Sequence, residues 1–449
     1  MTARAERPVG SELTKTMCAP WMYDFRECFC FYWAASKPDV VEDGAGRVRY
    51  VNFLRNRARR TDPPPLDTEV DAWERMQTEL TQTDLVEGWW HELPVVLDDR
   101  EQPAEPRVPP PSGDLLDRDE AIAELRYLAT VEHALIVEFL YAAYSVKAER
   151  RRPPEGTSDL TMRIWSAADQ VFRISIDEMR HFLWVNMILR ALGAPPSTGR
   201  AAIKGEEPRG LRKATLHKSY LDQKFSLEPL TPGTIERFIQ IERPSQEVGT
   251  DLDGMYVGLL ASIVAQPRLF PEGERIAPIV KLLIDEGQGH YRRFDSVRQT
   301  LDGIAPERYL RPLDGPPTPL QEQYLALGDE YYQSIMEVIE VGFRLPAPAG
   351  DMLVREAVRS MENLDDVARR LAAGGVGPRF TMPEPPPPGT ITAADAMRVF
   401  SARRGSFDRK LGVMAAGEGA DVALIARHRT WSQQLVSQLT DIVNRPPEP

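Results

Sequence analysis

The stretch ISIDEMRHFLWVNMILR, residues 174–190, combines a helical apolar pattern with two titratable side chains on the same face. Apolar residues recur at spacings of three and four, which is typical of one face of a buried helix. Glu178 and His181 occupy that face between apolar neighbours. An ionised carboxylate in an apolar interior is strongly unfavourable unless a cation compensates it. The stretch therefore predicts a buried helix that presents metal ligands.

Three other helical segments repeat this feature, each with titratable residues on its apolar face: Glu132 in a first helix over about 119–147, Glu242 in a third helix that begins after Thr234 and is interrupted at Pro244, and Glu286 with His290 in a fourth. A polar connection from Gly193 to Gly233 is long enough to cross a bundle. Carboxylate oxygens with imidazole nitrogens suit iron or manganese, and bridging carboxylates can hold two such ions together. The pattern predicts a dinuclear metal site inside four helices.

These motifs resemble known families. ISIDEMRHFLWVNMILRALGAPP (174–196) is similar to the second helix of bacterioferritin-type proteins, and VEHALIVEFLYAAY (131–144) is similar to their first. A closer resemblance over about 115–385 is to the ferritin-like domain family that includes the imine-dimerising enzymes of bisindole biosynthesis. It rests on LATVEHALIVEFLYAAYS, the EMRH helix, FIQIERP, LIDEGQGH and MENLDDVARRLAAGGVGPRFTMP.

The resemblance implies a mainly α fold, a ferritin-like four-helix bundle with an irregular N-terminal segment and extra C-terminal helices. It implies two iron ions, with manganese as the alternative, held by Glu132, Glu178, His181, Glu242, Glu286 and His290. Glu286 and His290 are four residues apart, where the family has three. The second ion is therefore expected to be bound differently or more weakly.

The N-terminal segment contains all three cysteines, Cys18, Cys28 and Cys30. It resembles the cofactor end of LodA-like amino acid oxidases, in which a cysteine is cross-linked to an oxidised tryptophan as cysteine tryptophylquinone. The matches are Pro20-Trp21, Asp24, Cys28, WAASKP (33–38) and Trp89 or Trp90. The resemblance implies that Asp24, Cys28, Trp89 and Trp90 are catalytic and that Cys28 and one of these tryptophans form the quinone. The alternative is that these residues pack as a small core or lid.

Proline-rich stretches divide the chain into an N-terminal segment (1–105), the bundle (115–302) and C-terminal helical lobes (318–449). Amphipathic helices in the lobes are expected to cover the bundle or to form a subunit interface, and a homodimer is one predicted outcome. Four other acids and histidines are interpreted as surface or supporting residues, with Glu138 as the substitute if Glu132 points away: Glu124, Glu138, His133 and His217. His428 is interpreted as a surface residue and not as a ligand.

Composition narrows the function classes. A formal net charge of -12 and scattered arginines argue against nucleic acid as a partner. No apolar run approaches the roughly 20 residues that span a bilayer, and no secretory signal is found, so a cytoplasmic protein without a membrane partner is predicted. The leading hypothesis is an oxygen-dependent oxidoreductase of specialised metabolism whose partners are dioxygen and a small amino-acid- or amine-derived substrate. The alternatives are a tryptophylquinone amine oxidase or imine-coupling enzyme, and a metal-storage or structural bundle.

Overall fold

The computed structural model describes residues 38–42, 48–52, 115–150, 153–154, 156–204, 225–244, 252–346, 349–383, 391–417 and 422–444. The chain divides into two compact units, Met1–Arg107 and Val108–Pro449. In the first unit, strands β1 (Pro38–Glu42) and β2 (Val48–Asn52) pair antiparallel. The valines and tyrosine of these strands favour extended structure. The predicted irregular N-terminal segment therefore contains one pair of strands among its described residues.

The described residues of the second unit are mainly helical. The helices, in chain order, are α1 (Arg118–Tyr144), α2 (Asp159–Ala191), α3 (Pro232–Ile241), α4 (Leu252–Ala265), α5 (Gly273–Leu301), α6 (Pro306–Tyr309), α7 (Pro319–Arg344), α8 (Ala349–Ala373), α9 (Ala393–Ala416) and α10 (Val422–Asn444). In this part of the chain, no helix is both long enough and apolar enough to cross a membrane.

Helices α1 to α5 form the predicted bundle, with the third position shared by two helices. Helix α1 packs against α2, α2 packs against α5, and α5 contacts both α3 and α4. Helix α3 ends at Ile241 with Glu242 as its C-terminal cap, because Pro244 cannot continue the hydrogen-bond ladder. The chain becomes helical again at Leu252. The mainly α fold and the break in the third helix are as predicted.

An aromatic cluster joins three of the bundle helices. Phe139 of α1 lies with its ring centroid 4.6 Å from that of Phe238 in α3 and 4.9 Å from that of Phe294 in α5. Phe238 and Phe294 are 5.2 Å apart, and all three side chains are fully buried. Such edge-to-face contacts add to the stabilisation that apolar burial supplies. The cluster fixes the spacing of α1, α3 and α5 beside the titratable residues.

Removing the central ring of this cluster should destabilise the bundle. We expect Phe139→Ala to lower the free energy of unfolding by about 3–5 kcal/mol, because the lost apolar contacts leave a cavity. Val422→Ala is the control, since Val422 is 76% exposed and its truncation should change stability by less than about 0.5 kcal/mol. Denaturant unfolding followed by helical circular dichroism measures both, and equal midpoints for the two variants would contradict the prediction.

Helices α7 to α10 form a second packed group within the same unit. Helix α7 packs against α8 and α9, while α10 packs against α8 and α9. Buried Glu330 of α7 holds α9 through ion pairs with Arg403 and Lys410. His428 of α10 is fully buried and its Nδ1 contacts the Tyr331 hydroxyl, so the prediction of a surface position for His428 was wrong.

Candidate metal centre

The structure brings all six predicted ligands together in the interior of the bundle. They come from four elements, and each is at least 94% buried: Glu132 on α1, Glu178 and His181 on α2, Glu242 at the end of α3, and Glu286 and His290 on α5. The i and i+3 positions of Glu178 and His181 lie on one face of α2, so both side chains reach the bundle axis. The sequence pattern therefore located a genuine cluster.

Glu178 lies at the middle of this cluster, between the two histidines. Its Oε2 is 3.1 Å from His181 Nδ1, and its Oε1 is 2.6 Å from His290 Nδ1. The two imidazole rings are stacked with centroids 5.0 Å apart. Both Nδ1 atoms therefore face the same carboxylate, which is an arrangement that suits a carboxylate bridge between two ions.

Two further carboxylates flank the histidines. Glu132 Oε2 is 3.7 Å from His181 Nδ1, and Glu242 Oε2 is 3.7 Å from His290 Nδ1. We call Glu132, Glu178 and His181 the first half-site, and Glu178, Glu242 and His290 the second half-site. Each half-site offers two carboxylates and one imidazole, and Glu178 belongs to both.

Glu286 occupies a different place. Its Oε2 lies 3.1 Å from His181 Nε2, on the side of the ring that faces away from Glu178. The same oxygen accepts hydrogen bonds from Arg180, at 2.6 Å from Nη2 and 3.2 Å from Nε. The structure thus brings Glu286 to the cluster but not to the inner side of the histidines, and its role as a ligand stays a prediction.

Sequence reasoning missed three residues of the centre. Arg180 and Asp177 are buried and joined by a 2.7 Å ion pair, and Asp177 Oδ2 lies 3.4 Å from His290 Nε2. Tyr256 of α4 donates a hydrogen bond from its hydroxyl to Glu132 Oε1. The available signals were Asp177 directly before EMRH, Arg180 within it, and a lone tyrosine in the apolar run GMYVGLLASIVA.

Burial and mutual repulsion set the protonation of the centre. Burial raises the pKa of Glu132 to about 8, and the charge of Glu178 adds to the rise. Burial also favours a neutral Glu178, but the charges of His290 and His181 outweigh it and hold the pKa of Glu178 well below its usual range. The same carboxylate overcomes the burial of His290 and raises its pKa to about 10. Without a cation, the centre compensates its negative charge with bound protons.

The donor atoms fit a divalent cation. Glu178, His181 and His290 offer ligand atoms that all lie within 4.8 Å of one another. Several buried atoms of the half-sites have no aligned hydrogen-bond partner: Glu132 Oε2, Glu178 Oε1, Glu242 Oε1 and His290 Nδ1. Buried polar atoms without aligned hydrogen-bond partners are costly, and a bound cation would satisfy these. Carboxylate and imidazole donors favour iron or manganese over softer metals.

Other predicted residues lie elsewhere. Five predicted residues fall outside the described residues: Asp24, Cys28, Trp89, Trp90 and His217. The tryptophylquinone therefore stays a prediction. Glu138 accepts from the Ser226 backbone N–H and pairs with Arg237, so it is not needed in place of Glu132. Three of the residues predicted to be surface or supporting residues are buried, so only the supporting reading fits them: Glu124, His133 and Glu138.

Metal affinity should rise with pH. The raised pKa of His290, about 10, means that its ring is protonated near neutrality in the metal-free protein, whereas a ligand nitrogen must be free of its proton. Below that pKa, the apparent affinity for the metal should rise about tenfold per pH unit for each proton that the metal displaces. Calorimetric titration with Mn²⁺ at several pH values, in two buffers of different ionisation enthalpy, measures affinity and proton release. A pH-independent affinity would contradict the prediction.

Comparison with known protein families agrees with the fold. Residues 125–268 match the family model described as Ferritin-like, and this match spans the described residues of α3 and α4, all of α2 and most of α1. The chain therefore contains a ferritin-like domain. A solved ferritin-like protein from Caulobacter vibrioides is 16% identical, with a TM-score of 0.39, covering 60% of this chain and 100% of that chain.

Two curated enzymes are similar to this chain. One is the 2-imino-3-(indol-3-yl)propanoate dimerase of Chromobacterium violaceum, 28% identical over 182 residues, and the other is the dichlorochromopyrrolate synthase of Lentzea aerocolonigenes, 24% identical over 220 residues. The matches cover 36% and 43% of this chain but only 17% and 20% of the relatives. The resemblance to a ferritin-like family with imine-dimerising enzymes is confirmed, whereas the resemblance to LodA-like oxidases stays a prediction.

Proposed function

We propose that this protein is an oxygen-dependent oxidoreductase of specialised metabolism that uses a dinuclear metal centre, with iron as the first choice and manganese as the alternative. The observation that carries the proposal is the pair of half-sites that share Glu178. When bound, redox-active ions would supply the electron transfer from substrate to dioxygen. Glu178 would span the two positions, while Glu132 and Glu242 would each serve one of them.

The surroundings of the half-sites would keep bulk water out. Trp184 stacks beside His181 with ring centroids 6.0 Å apart and is 1% exposed. Tyr256 of α4 donates a hydrogen bond from its hydroxyl to Glu132. Exclusion of water strengthens the electrostatic interactions in such a site and protects reactive intermediates from hydrolysis.

The names of the relatives suggest the substrate class. One relative is named for a 2-imino acid that carries an indole group and is called a dimerase. We propose an amino-acid-derived imine as the substrate of this protein and oxidative joining of two such molecules as the reaction. A new carbon–carbon bond between two imino acid molecules, reached through their enamine forms, removes two hydrogen atoms. Dioxygen accepts both and becomes hydrogen peroxide, so atoms and electrons balance.

Metal content tests the centre directly. We expect the protein purified without chelator to contain close to two iron or manganese ions per chain, and Glu178→Gln to lose most of them because Glu178 belongs to both half-sites. Glu138→Gln is the matched control, since Glu138 is equally buried but pairs with Arg237. Elemental analysis measures all three proteins. Well under one ion per chain in the wild-type protein would overturn the proposal.

The reaction has its own test. An imino acid is generated in situ from an aromatic amino acid and is incubated with the metal-loaded protein in the presence and in the absence of dioxygen. Mass spectrometry should detect a product with twice the mass of the imino acid less two hydrogens, only when dioxygen and the protein are both present. A metal-loaded protein that gives no oxidised product from aromatic amino acids, their imines or the corresponding amines would overturn the proposed activity while leaving the metal centre in place.

A further inference from the structure

The two histidines are contacted on both sides by carboxylates, and the two sides are not equivalent. The Nδ1 atoms face Glu178 and the flanking carboxylates of the half-sites. The Nε2 atoms face outward, where His181 Nε2 lies 3.1 Å from Glu286 and His290 Nε2 lies 3.4 Å from Asp177. Each imidazole therefore has an inner carboxylate at one nitrogen and an outer carboxylate at the other.

Arg180 connects the two outer carboxylates. Its Nη2 lies 2.7 Å from Asp177 Oδ1 and 2.6 Å from Glu286 Oε2. The arginine is 1% exposed, so these ion pairs are shielded from solvent. We call Asp177, Arg180 and Glu286 the outer clamp. A carboxylate that is engaged by a buried guanidinium is held in position and has less electron density to offer a metal ion.

The spacing on α5 explains why Glu286 lies on the outer side. Dinuclear carboxylate bundles use a Glu three residues before the His, and here that position is Gly287. A Cβ built at Gly287 would meet no atom within 4 Å, so the structure leaves room there for the missing side chain. Positions 286 and 287 differ by about 100° around the helix axis. With the carboxylate at position 286 instead, its Oε2 accepts hydrogen bonds from Arg180.

We propose that Glu286 is a positioning residue and not a metal ligand. Together with Asp177 and Arg180 it holds the two imidazoles with Nε2 protonated and Nδ1 directed at the metal positions, which is the role that outer carboxylates have for metal-bound histidines. The inference rests on the proposed metal-binding function and specifies how the centre is built. Among the described residues, Glu178 would then be the carboxylate that the two metal positions share.

Paired substitutions at residue 286 separate the two roles. A glutamine can still accept the hydrogen bond from His181 Nε2–H but supplies no anionic oxygen, whereas alanine does neither. As a positioning residue, Glu286→Gln should bind two Mn²⁺ ions per chain with an affinity within about threefold of wild type, and Glu286→Ala should bind two ions about 10–100-fold more weakly. Glu242→Gln is the comparator for a ligand, and it should bind one ion. Calorimetry and elemental analysis measure both quantities.

Several outcomes would overturn the inference. Loss of one ion in Glu286→Gln would show that Glu286 is a ligand, and an unchanged affinity in Glu286→Ala would show that the clamp has no effect. In either case the proposed function survives, because the wild-type protein still binds two ions. Absence of metal from the wild-type protein would instead overturn the proposed function and this inference together.

Nuclear magnetic resonance of the wild-type protein provides an independent measurement that needs no substitution in the centre. The chain has six histidines, so selective ¹⁵N labelling gives a small set of imidazole signals. With Zn²⁺ as a diamagnetic probe, His181 and His290 should both show the Nε2–H tautomer with a metal-bound Nδ1. A proton on Nδ1 of His181 would contradict the orientation that the clamp imposes.

Discussion

The structure depends on compensating the negative charge of five carboxylates that are buried around two imidazoles. Asp177 and the four glutamates of the centre are nearly inaccessible to solvent, and each would destabilise the bundle if it were left ionised and unpaired. Arg180 and Arg293 compensate Asp177 and Glu286. The other three carboxylates face the histidines, which hold protons in the metal-free state. Replacement of these protons by cations would couple the stability of the bundle to metal loading.

The break in the third helix serves this arrangement. Glu242 follows the last residue of α3, where the negative end of the helix dipole disfavours a carboxylate, and a cation in the second half-site would offset that repulsion. Helix α4, after the break, supplies Tyr256 to Glu132 in the first half-site. A continuous helix would place residues 242 and 256 about 20 Å apart along its axis. The interruption lets one segment of the chain serve both half-sites.

The bundle and the clustering of acids and histidines in its interior were predictable because they follow from local periodicity. Each of four helical segments has a carboxylate on its apolar face, and apolar faces pack together in the interior of a bundle. The four carboxylates were therefore expected to lie close together. The outer clamp was not predictable, since Arg180 reaches Glu286 across the interface between α2 and α5 and no periodic pattern encodes that partner. The buried position of His428 depends in the same way on a residue of another helix, Tyr331. The sequence did not predict the positions of residues whose partners lie on other helices.

The helices after residue 318 are part of the support of the centre, and their contacts bear on the choice between enzyme and storage bundle. Burial, helped by the charge of Arg200, lowers the pKa of His133 to about 3, so its ring is neutral. Its Nδ1–H donates to the Gly199 carbonyl, and its Nε2 accepts from the hydroxyl of Tyr332 on α7. Because His133 follows Glu132 on α1, this contact braces the helix turn that presents the first half-site.

Two further contacts hold the same lobe against the bundle. The Tyr144 hydroxyl at the end of α1 donates to Asp365 of α8, and Arg190 near the end of α2 pairs with Asp351. Helices α1 and α2 are thus partly covered by their own chain. A storage bundle has no need of a lobe that orders one ligand-bearing turn, whereas an enzyme requires its ligands to be held rigidly by supporting contacts. These contacts therefore favour the catalytic proposal over metal storage.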